Sequence, residues 1–348
     1  TLLKALARDT QLGHGNSLQT VQDLQQGAPM IARIQIASAG MVAARKIDRT
    51  RLADGFEAEE ELFKKRNPNS ARLAKASATH FLASVPMPWM TRWPGAFPLF
   101  IDKAERARCI DVDGHEYVDF CMGDTGAMTG HSISALTKAV RRQTKRGLTT
   151  MLPSEDAAWV ADELASRFGL AKWQLAMTAT DANRFILRIA RHVTKRPKIA
   201  VIDWCYHGTV DETLVIRGPR GETLNRHGAI GPQVDPALTT RVVPFNDLDE
   251  LDRTLAFGDV AVLLMEPALT NIGIVLPDPG YHEGVREITR KHGVLLAIDE
   301  THTICVGPGG ATKAWKLEPD LFVIGKPIAG GIPASAYGMT QEIATLVE

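Results

Sequence analysis

An unbroken apolar run, Val294-Leu295-Leu296-Ala297-Ile298, ends in the acids Asp299-Glu300 and gives the first strong indication of the architecture. Polar residues do not alternate within the run, which is typical of a strand buried on both faces. Short apolar runs of the same kind occur at 175–177, 199–202, 260–265 and 321–324. Helical patterns alternate with them at 132–146, 154–168, 181–194 and 279–291. This alternation predicts an α/β fold in which helices cover both faces of a mostly parallel sheet.

The composition is that of a globular protein. The 348 residues are 45% hydrophobic and 23% charged, an ordinary balance for such proteins. This length exceeds one ordinary core and predicts a large domain with smaller additions. Lysine plus arginine and aspartate plus glutamate both number 40, so the net charge is zero. Without a basic field, the chain is not expected to bind nucleic acid or an anionic membrane surface.

The cysteines favour a reducing compartment. They are widely spaced and form no CxxC pair; they are Cys109, Cys121, Cys205 and Cys305. We therefore expect neither a zinc site nor a disulfide framework, and a cytoplasmic setting fits best. No apolar run approaches the length that spans a bilayer, and the first residues lack the pattern of a signal peptide.

The first third of the chain has a different character. Residues 1 to about 80 mix charged with scattered apolar positions, which predicts surface-rich helices. The prolines of 85–95 predict an extended linker. After it, the stretches 99–102 and 109–112 flank a turn, and Asp113-Gly114 predicts a hairpin that continues into 117–120.

Candidate site residues follow the apolar runs, because ligands of open α/β sheets collect beyond the carboxyl ends of the strands. Asp299 closes the run 294–298, and Lys326 follows the run 321–324 among glycines. A lone loop lysine is most often solvated. Partial burial would favour the neutral amine, which is the form that reacts with an aldehyde.

Two further strand ends carry useful residue types. Thr178, Ala179 and Thr180 stand between the run 175–177 and the next helix. Helix N-termini bind phosphate through free N–H groups and the helix dipole. Ordinary N-capping by Thr178 or Thr180 is the alternative. Beyond another run, Tyr206 could stack on a flat ring, although packing is the commoner role of a loop aromatic.

These strand ends together supply a phosphate cup, a ring platform, an acid and an amine. That set matches pyridoxal 5′-phosphate (PLP). The acid keeps the pyridine nitrogen protonated so that the ring can accept electrons, and the lysine carries the aldehyde and moves protons. We therefore predict a PLP enzyme in which Lys326 is the cofactor lysine and Asp299 is the acid.

The combination of motifs resembles the class III aminotransferases, which are fold type I PLP enzymes. The likeness is greatest to the branch of glutamate-1-semialdehyde aminomutases and β-amino-acid aminotransferases, and it runs from about residue 96 to the end. Residues 178–182 stand where the family has Ser-Gly-Thr-Glu-Ala, and the separation of Asp299 from Lys326 fits the family. The other matching segments are Phe97-Pro98-Leu99, 111–120, Gly130-His131-Ser132, Tyr206-His207-Gly208, Glu266-Pro267 and 325–333.

The resemblance implies a fold and an assembly. The expected fold is a seven-stranded, mostly parallel sheet of the fold type I kind. An N-terminal helical extension and linker would occupy 1–95, a PLP-binding large domain 96–340, and the start of a C-terminal region 341–348. The family carries a further small C-terminal domain, which we expect this chain to lack. Its active sites lie between two subunits, so a homodimer is expected.

The resemblance also implies roles for the site residues. Lys326 would hold the cofactor as a Schiff base, Asp299 would stabilise the pyridinium, and Tyr206 would stack on the ring. The loop 178–180 would bind the phosphate. The remaining cofactor-binding candidates are His207 and Thr301, the latter at a position where the family has a valine packed on the ring.

Candidates for contact with the substrate rest on the same resemblance. They are Trp89, Met128, Met151, Glu155 and His302. A histidine that is satisfied by hydrogen bonds within the protein is the alternative for His302. The histidines after strand ends have no partner at ligand spacing, so no metal site is expected.

Three functions are compatible with these residues. The first is an aminotransferase that moves an amino group between an amine or amino acid and a keto acid. The second is an intramolecular aminomutase of the glutamate-1-semialdehyde type, which uses the same cofactor residues. The third is a non-catalytic scaffold that keeps the fold without the cofactor.

Overall fold

The structure is a computed structural model that describes residues 47–348. The helices predicted before residue 47 therefore lie outside the described residues. Two helices open the described part, α1 (Arg49–Arg66) and α2 (Pro68–Ser77). The Asp48 carboxylate caps α1 by accepting backbone N–H groups, and Pro68 begins α2, where its missing N–H costs nothing.

A seven-stranded sheet forms the centre of the molecule. Its order is β4-β12-β11-β10-β9-β5-β8, and β12 runs opposite in direction to the other six strands. The prediction of a mostly parallel seven-stranded sheet is therefore confirmed. The strands are β4 (Lys172–Ala176), β5 (Lys198–Ile202), β8 (Thr240–Val243), β9 (Val260–Met265), β10 (Leu295–Asp299), β11 (Leu321–Ile324) and β12 (Ser335–Met339).

Helices cover the sheet. All six residues of β9 are buried, and successive side chains of a strand point to opposite faces, so both faces are covered. The longest of these helices, α5, contacts β9, β10, β11 and β12. The helices after α2 are α3 (Ser134–Thr144), α4 (Asp156–Phe168), α5 (Ala179–Thr194), α6 (Leu248–Leu255), α7 (Tyr281–Lys291), α8 (Gly310–Ala314) and α9 (Gln341–Val347).

Two small antiparallel sheets flank the large one. The first contains β1 (Ile101–Glu105), β2 (Arg108–Asp111) and β3 (Glu116–Val118), and the second contains β6 (Val215–Arg217) and β7 (Thr223–Asn225). The turn at Asp113-Gly114 joins β2 to β3, as the sequence predicts, and Gly114 has a φ of +86°.

Two local predictions need correction. The linker 85–95 is not extended throughout, because Pro88–Arg92 forms a 3₁₀ helix with proline in its first turn. The strand β4 is not buried on both faces, because it lies at the sheet edge and leaves Leu175 exposed.

The segment 341–348, predicted to begin a separate region, forms α9. Ile343 and Ala344 of this helix are buried and join the main core, and the helix contacts α5. Within residues 47–348, no helix is both long enough and apolar enough to cross a membrane.

Candidate active site

The predicted site residues lie at the carboxyl edge of the large sheet. Asp299 ends β10, and Lys326 follows β11, its parallel neighbour. Thr178 follows β4. The backbone carbonyl oxygen of Thr178 accepts a hydrogen bond of 2.7 Å from the hydroxyl of Ser335, which begins the antiparallel strand β12. Parallel strands bring such residues to one edge, so the fold assembles the site that the sequence predicts.

Lys326 has two polar neighbours. Its Nζ donates to Asp124 Oδ2 at 2.7 Å and lies 2.5 Å from His302 Nε2. The side chain is about a quarter exposed, whereas that of Asp124 is 65% exposed. Lys326 has a φ of +43°, a backbone conformation that a residue with a Cβ adopts only when its surroundings enforce it. The fold thus points the amine at two defined partners.

His302 lies beside the lysine amine. Burial and then the Lys326 charge hold the pKa of His302 below its ordinary value, and the charges of Asp124 and Asp299 oppose this effect. A neutral imidazole can accept from the ammonium at Nε2, and its Nδ1 then faces Thr125 Oγ1 at 3.4 Å. His302 is therefore placed to act on Lys326, and its contact with a substrate stays a prediction.

Asp299 is almost completely buried, with 3% of its surface exposed. Its Oδ2 accepts from His207 Nδ1 and Asn183 Nδ2, both at 2.9 Å. Its Oδ1 accepts from the backbone N–H of Thr301 at 3.0 Å and from the Thr301 hydroxyl at 2.5 Å. Burial works to raise the pKa of Asp299, but these donors hold it below its ordinary value. The carboxyl group is therefore kept charged in the interior.

His207 lies behind Asp299 and is itself buried. Burial works to lower the pKa of His207, but Cys205 and the hydrogen bond to Asp299 hold it well above its ordinary value. The raised pKa of His207 and the lowered pKa of Asp299 both favour a charged pair, in which each buried group stabilises the charge of the other. His207, predicted to bind the cofactor, contacts the acid and supports it.

The loop predicted to bind phosphate begins α5. The Thr178 hydroxyl caps the helix by accepting from Asp181 N at 3.2 Å and donates to Asp181 Oδ2 at 2.8 Å. The loop can therefore both cap the helix and bind phosphate. Capping uses the Thr178 side chain and leaves the N–H groups of Ala179 and Thr180 without a partner in the helix. Ala179 begins the helix and has no positive φ, so alanine is suited to the position.

The neighbouring loops pack closely on the loop 178–180. The Thr180 hydroxyl accepts from Thr209 N at 3.2 Å. Gly208 has a φ of +78°, and a Cβ at this residue would lie 2.0 Å from Thr180 Oγ1. A Cβ at Gly325 would lie 2.9 Å from the Ala179 methyl group. Glycine is required at these positions because three strand-end loops meet there.

The other candidates are placed less tightly. Tyr206 is 40% exposed, which leaves its ring available for stacking. Trp89 lies half-exposed on the 3₁₀ helix, and Glu155 pairs with Arg146 at 3.1 Å. Met128, which belongs to the loop that carries Asp124, and Met151 are both exposed. Among the hydrogen bonds of residues 47–348, none joins these side chains to Lys326, so their roles stay predictions.

Sequence reasoning missed two residues of the site. The first is Asn183, whose side-chain amide donates to Asp299. The sequence contained an indication of its role, because Asn183 is a polar residue on the same face of α5 as the buried Ile186 and Ala190. Asp124 pairs with Lys326 across 202 positions of the chain, and no local pattern could have identified it. Its loop lies next to the lysine segment, where a Cβ at Gly331 would meet Gly126.

Two other buried acids have different surroundings. Glu300 accepts from the Thr303 hydroxyl and from the N–H groups of Ala311 and Thr312, so it caps α8. Burial raises the pKa of Glu266, whose Oε2 accepts from Thr270. In the part of the chain that the structure describes, no group of three or more histidine, cysteine or acidic side chains could hold a metal ion.

The profile described as aminotransferase class-III matches residues 89–348, about three quarters of the chain. The chain belongs to the class III aminotransferases. Among curated relatives, the glutamate-1-semialdehyde 2,1-aminomutase of Thermodesulfovibrio yellowstonii is 35% identical over 257 residues, which is 73% of this chain and 60% of that protein. The Brevibacillus brevis protein of that name, aminomutase 2, is 38% identical over 257 residues, which is 72% of this chain and 59% of that protein.

Solved structures of an aminomutase and a transaminase are similar to this chain. A glutamate-1-semialdehyde-aminomutase from Pseudomonas aeruginosa superposes with a TM-score of 0.84 at 48% identity and covers 86% of this chain and 66% of that one. A variant of the Pseudomonas enzyme contains pyridoxamine phosphate (PMP). An omega-transaminase from Sphaerobacter thermophilus gives a TM-score of 0.75 at 28% identity and covers 79% of this chain and 64% of that one.

The family and its structures confirm the fold type I prediction and support PLP as the cofactor. The chain spans about 60% of the length of the curated relatives that it matches. Its reaction, substrates and assembly are therefore matters for proposal.

Proposed function

We propose that this class III enzyme moves an amino group within one molecule, as a glutamate-1-semialdehyde aminomutase does. The observation that carries PLP chemistry is that a buried, charged Asp299 and the Lys326 amine lie at the ends of neighbouring parallel strands. The observation that favours an aminomutase over a transaminase is the similarity to the Pseudomonas aminomutase, which is 48% identical against 28% for the omega-transaminase.

The residues present fit PLP. The N-terminus of α5 offers free N–H groups to a phosphate, and Asp299 is a buried anion suited to a protonated ring nitrogen. Tyr206 exposes its ring, and Lys326 has an amine held by hydrogen bonds alone. When bound, PLP supplies an aldehyde that captures amines and a ring that accepts electrons from the substrate carbon.

Lys326 would then perform two tasks. Its Nζ would hold the cofactor, and once free of it the same amine would carry the proton that leaves the substrate carbon. Asp124 and His302 hold the released Nζ in place through hydrogen bonds. Asp299, which His207 holds in place, would offer its carboxylate to the ring nitrogen.

The relatives' name states that the amino group moves from carbon 2 to carbon 1 of glutamate 1-semialdehyde. The experiment supplies this compound with a ¹⁵N-labelled amino group to the PLP-loaded chain without a keto acid. An aminomutase retains the label in the isomer that carries the amino group on carbon 1. Matched Lys326→Ala protein, expected to be inactive, controls for reaction with free PLP.

The second candidate is an aminotransferase, which the likeness to the Sphaerobacter omega-transaminase supports. It predicts that turnover requires a keto acid in stoichiometric amount and that ¹⁵N appears in the amino acid formed from it. That result would contradict the aminomutase proposal. We further propose a homodimer, which sedimentation of the purified chain tests directly.

A further inference from the structure

The Asp299 carboxylate can accept only a limited number of hydrogen bonds. A carboxylate offers about four lone-pair positions. In this structure four donors occupy them: His207 and Asn183 on Oδ2, and the N–H and hydroxyl of Thr301 on Oδ1. The proposed function requires a further donor, the protonated ring nitrogen of PLP. One of the present donors must therefore give way when the cofactor binds.

The four donors differ in their freedom to move. The side chains of His207 and Asn183 are fully enclosed, and the Thr301 N–H is part of the backbone. The Thr301 hydroxyl is attached by one rotatable bond on a partly exposed residue. Because it can turn away at the smallest cost, it is the donor that the ring nitrogen displaces.

We propose that the Thr301 hydroxyl competes with the ring nitrogen of PLP for Asp299 and thereby weakens the hold of this chain on its cofactor. The inference rests on the proposed function, because it assumes that PLP binds at Asp299. A hydroxyl donor stabilises the charged carboxylate and makes it a weaker acceptor for any other donor. A valine, which stands at this position in the resembling family, has no such donor.

The test compares PLP affinity among position 301 variants of the full chain. Thr301→Val keeps the shape and removes the hydroxyl, so the dissociation constant for PLP is expected to fall about tenfold, the lower range for one hydrogen bond to a charged group. Thr301→Ser keeps the hydroxyl and is expected to match the wild type. Titration of the apoprotein with PLP, followed by absorbance, measures each constant.

Two further variants separate this effect from changes in packing. Thr301→Ala also lacks the hydroxyl and is expected to tighten binding despite its smaller side chain. Thr345→Val removes a hydroxyl that donates to Gln341 O on the exposed face of α9 and is expected to leave affinity unchanged. Thermal unfolding of each apoprotein checks that the variants fold.

A second readout follows the ring nitrogen itself. The ¹⁵N resonance of ring-labelled PLP is expected to move toward the protonated form in Thr301→Val. Equal or weaker PLP binding by both Thr301→Val and Thr301→Ala would overturn the inference alone. Failure of the wild-type chain to bind PLP would overturn the proposed function and the inference together.

Discussion

The two charged groups at the centre of the site are held in opposite ways. Asp299 is 3% exposed and is surrounded by donors within the fold, so its charge is fixed in place. Lys326 is about a quarter exposed and is held by Asp124, whose side chain is 65% exposed. The difference matches the work each group would do. A fixed anion suits a ring nitrogen that stays in place, whereas a loosely held amine can be released and recaptured.

The largest effect is expected when the buried charge is removed. Asp299→Asn breaks the buried pair with His207, and we expect a loss of about 3 kcal/mol of unfolding free energy. Loss of the charge facing the ring nitrogen is expected to lower turnover at least about a hundredfold. Chemical denaturation and steady-state rates measure the two effects.

A matched variant is Asp252→Asn. Asp252 pairs with His292 through a bond of 2.7 Å, but this pair is more exposed. Little change in stability or turnover is expected. Equal effects of the two substitutions would contradict the claim that burial distinguishes the Asp299 pair.

The next largest effect is expected where the loops beside Asp299 pack closely on one another. Gly208→Ala adds a Cβ 2.0 Å from Thr180 Oγ1 at a φ of +78°, and we expect a loss of about 3 kcal/mol from overlap and backbone strain. Gly114→Ala has a similar φ of +86° but open space around it, so only the strain of about 1 kcal/mol is expected. Equal losses in denaturation experiments would show that the contact with Thr180 is not tight.

The buried pair also predicts a pH dependence of stability. The pKa of Asp299 is lowered on folding, so its contribution is present above its unfolded value and is lost at lower pH. The pKa of His207 is raised, so its contribution is full below its unfolded value and declines as the pH rises above it. The pair therefore stabilises most between roughly pH 4 and 6.5.

This window is measured as a difference between proteins. The unfolding free energy of the wild type minus that of the double variant Asp299→Asn/His207→Gln should be greatest in the window and smaller on either side. A difference that rises steadily toward alkaline pH would contradict the raised pKa of His207.

The smallest effect is expected at Asp124, the exposed partner of Lys326. Asp124→Asn removes the anion beside Lys326, and an exposed ion pair is worth less than about 1 kcal/mol. Because the amine must leave its hydrogen bond to Asp124 before it reacts, loss of the carboxylate should speed capture of PLP by the apoprotein, by less than about fivefold. Stopped-flow absorbance measures the rate. A slower rate would show that Asp124 serves mainly to aim the amine.

The sequence predicted the buried centre well. The strands β9 and β11 have the predicted bounds, because continuous apolar runs specify buried parallel strands directly. The strand β12 was missed because Ser335–Met339 has small and polar residues and no apolar run. Its burial arises from neighbours on both sides, which only the folded sheet supplies.

The site was predictable where one residue carries its own signal. Lys326 and Asp299 stand at strand ends, and their strands could be recognised. The pairing of Lys326 with Asp124 depends on a loop folding back over the sheet. The turn of the Thr301 hydroxyl toward Asp299 depends on side-chain geometry that a pattern of residue types does not contain.

The central claim is that Lys326 is the lysine that binds the cofactor covalently. The direct measurement is borohydride reduction of the PLP-loaded chain followed by peptide mass spectrometry. We predict that the cofactor mass is found on the Lys326 peptide and that Lys326→Ala loses the visible absorbance of the lysine-bound cofactor. Cofactor mass on another lysine, or a visible band that survives in Lys326→Ala, would contradict the account.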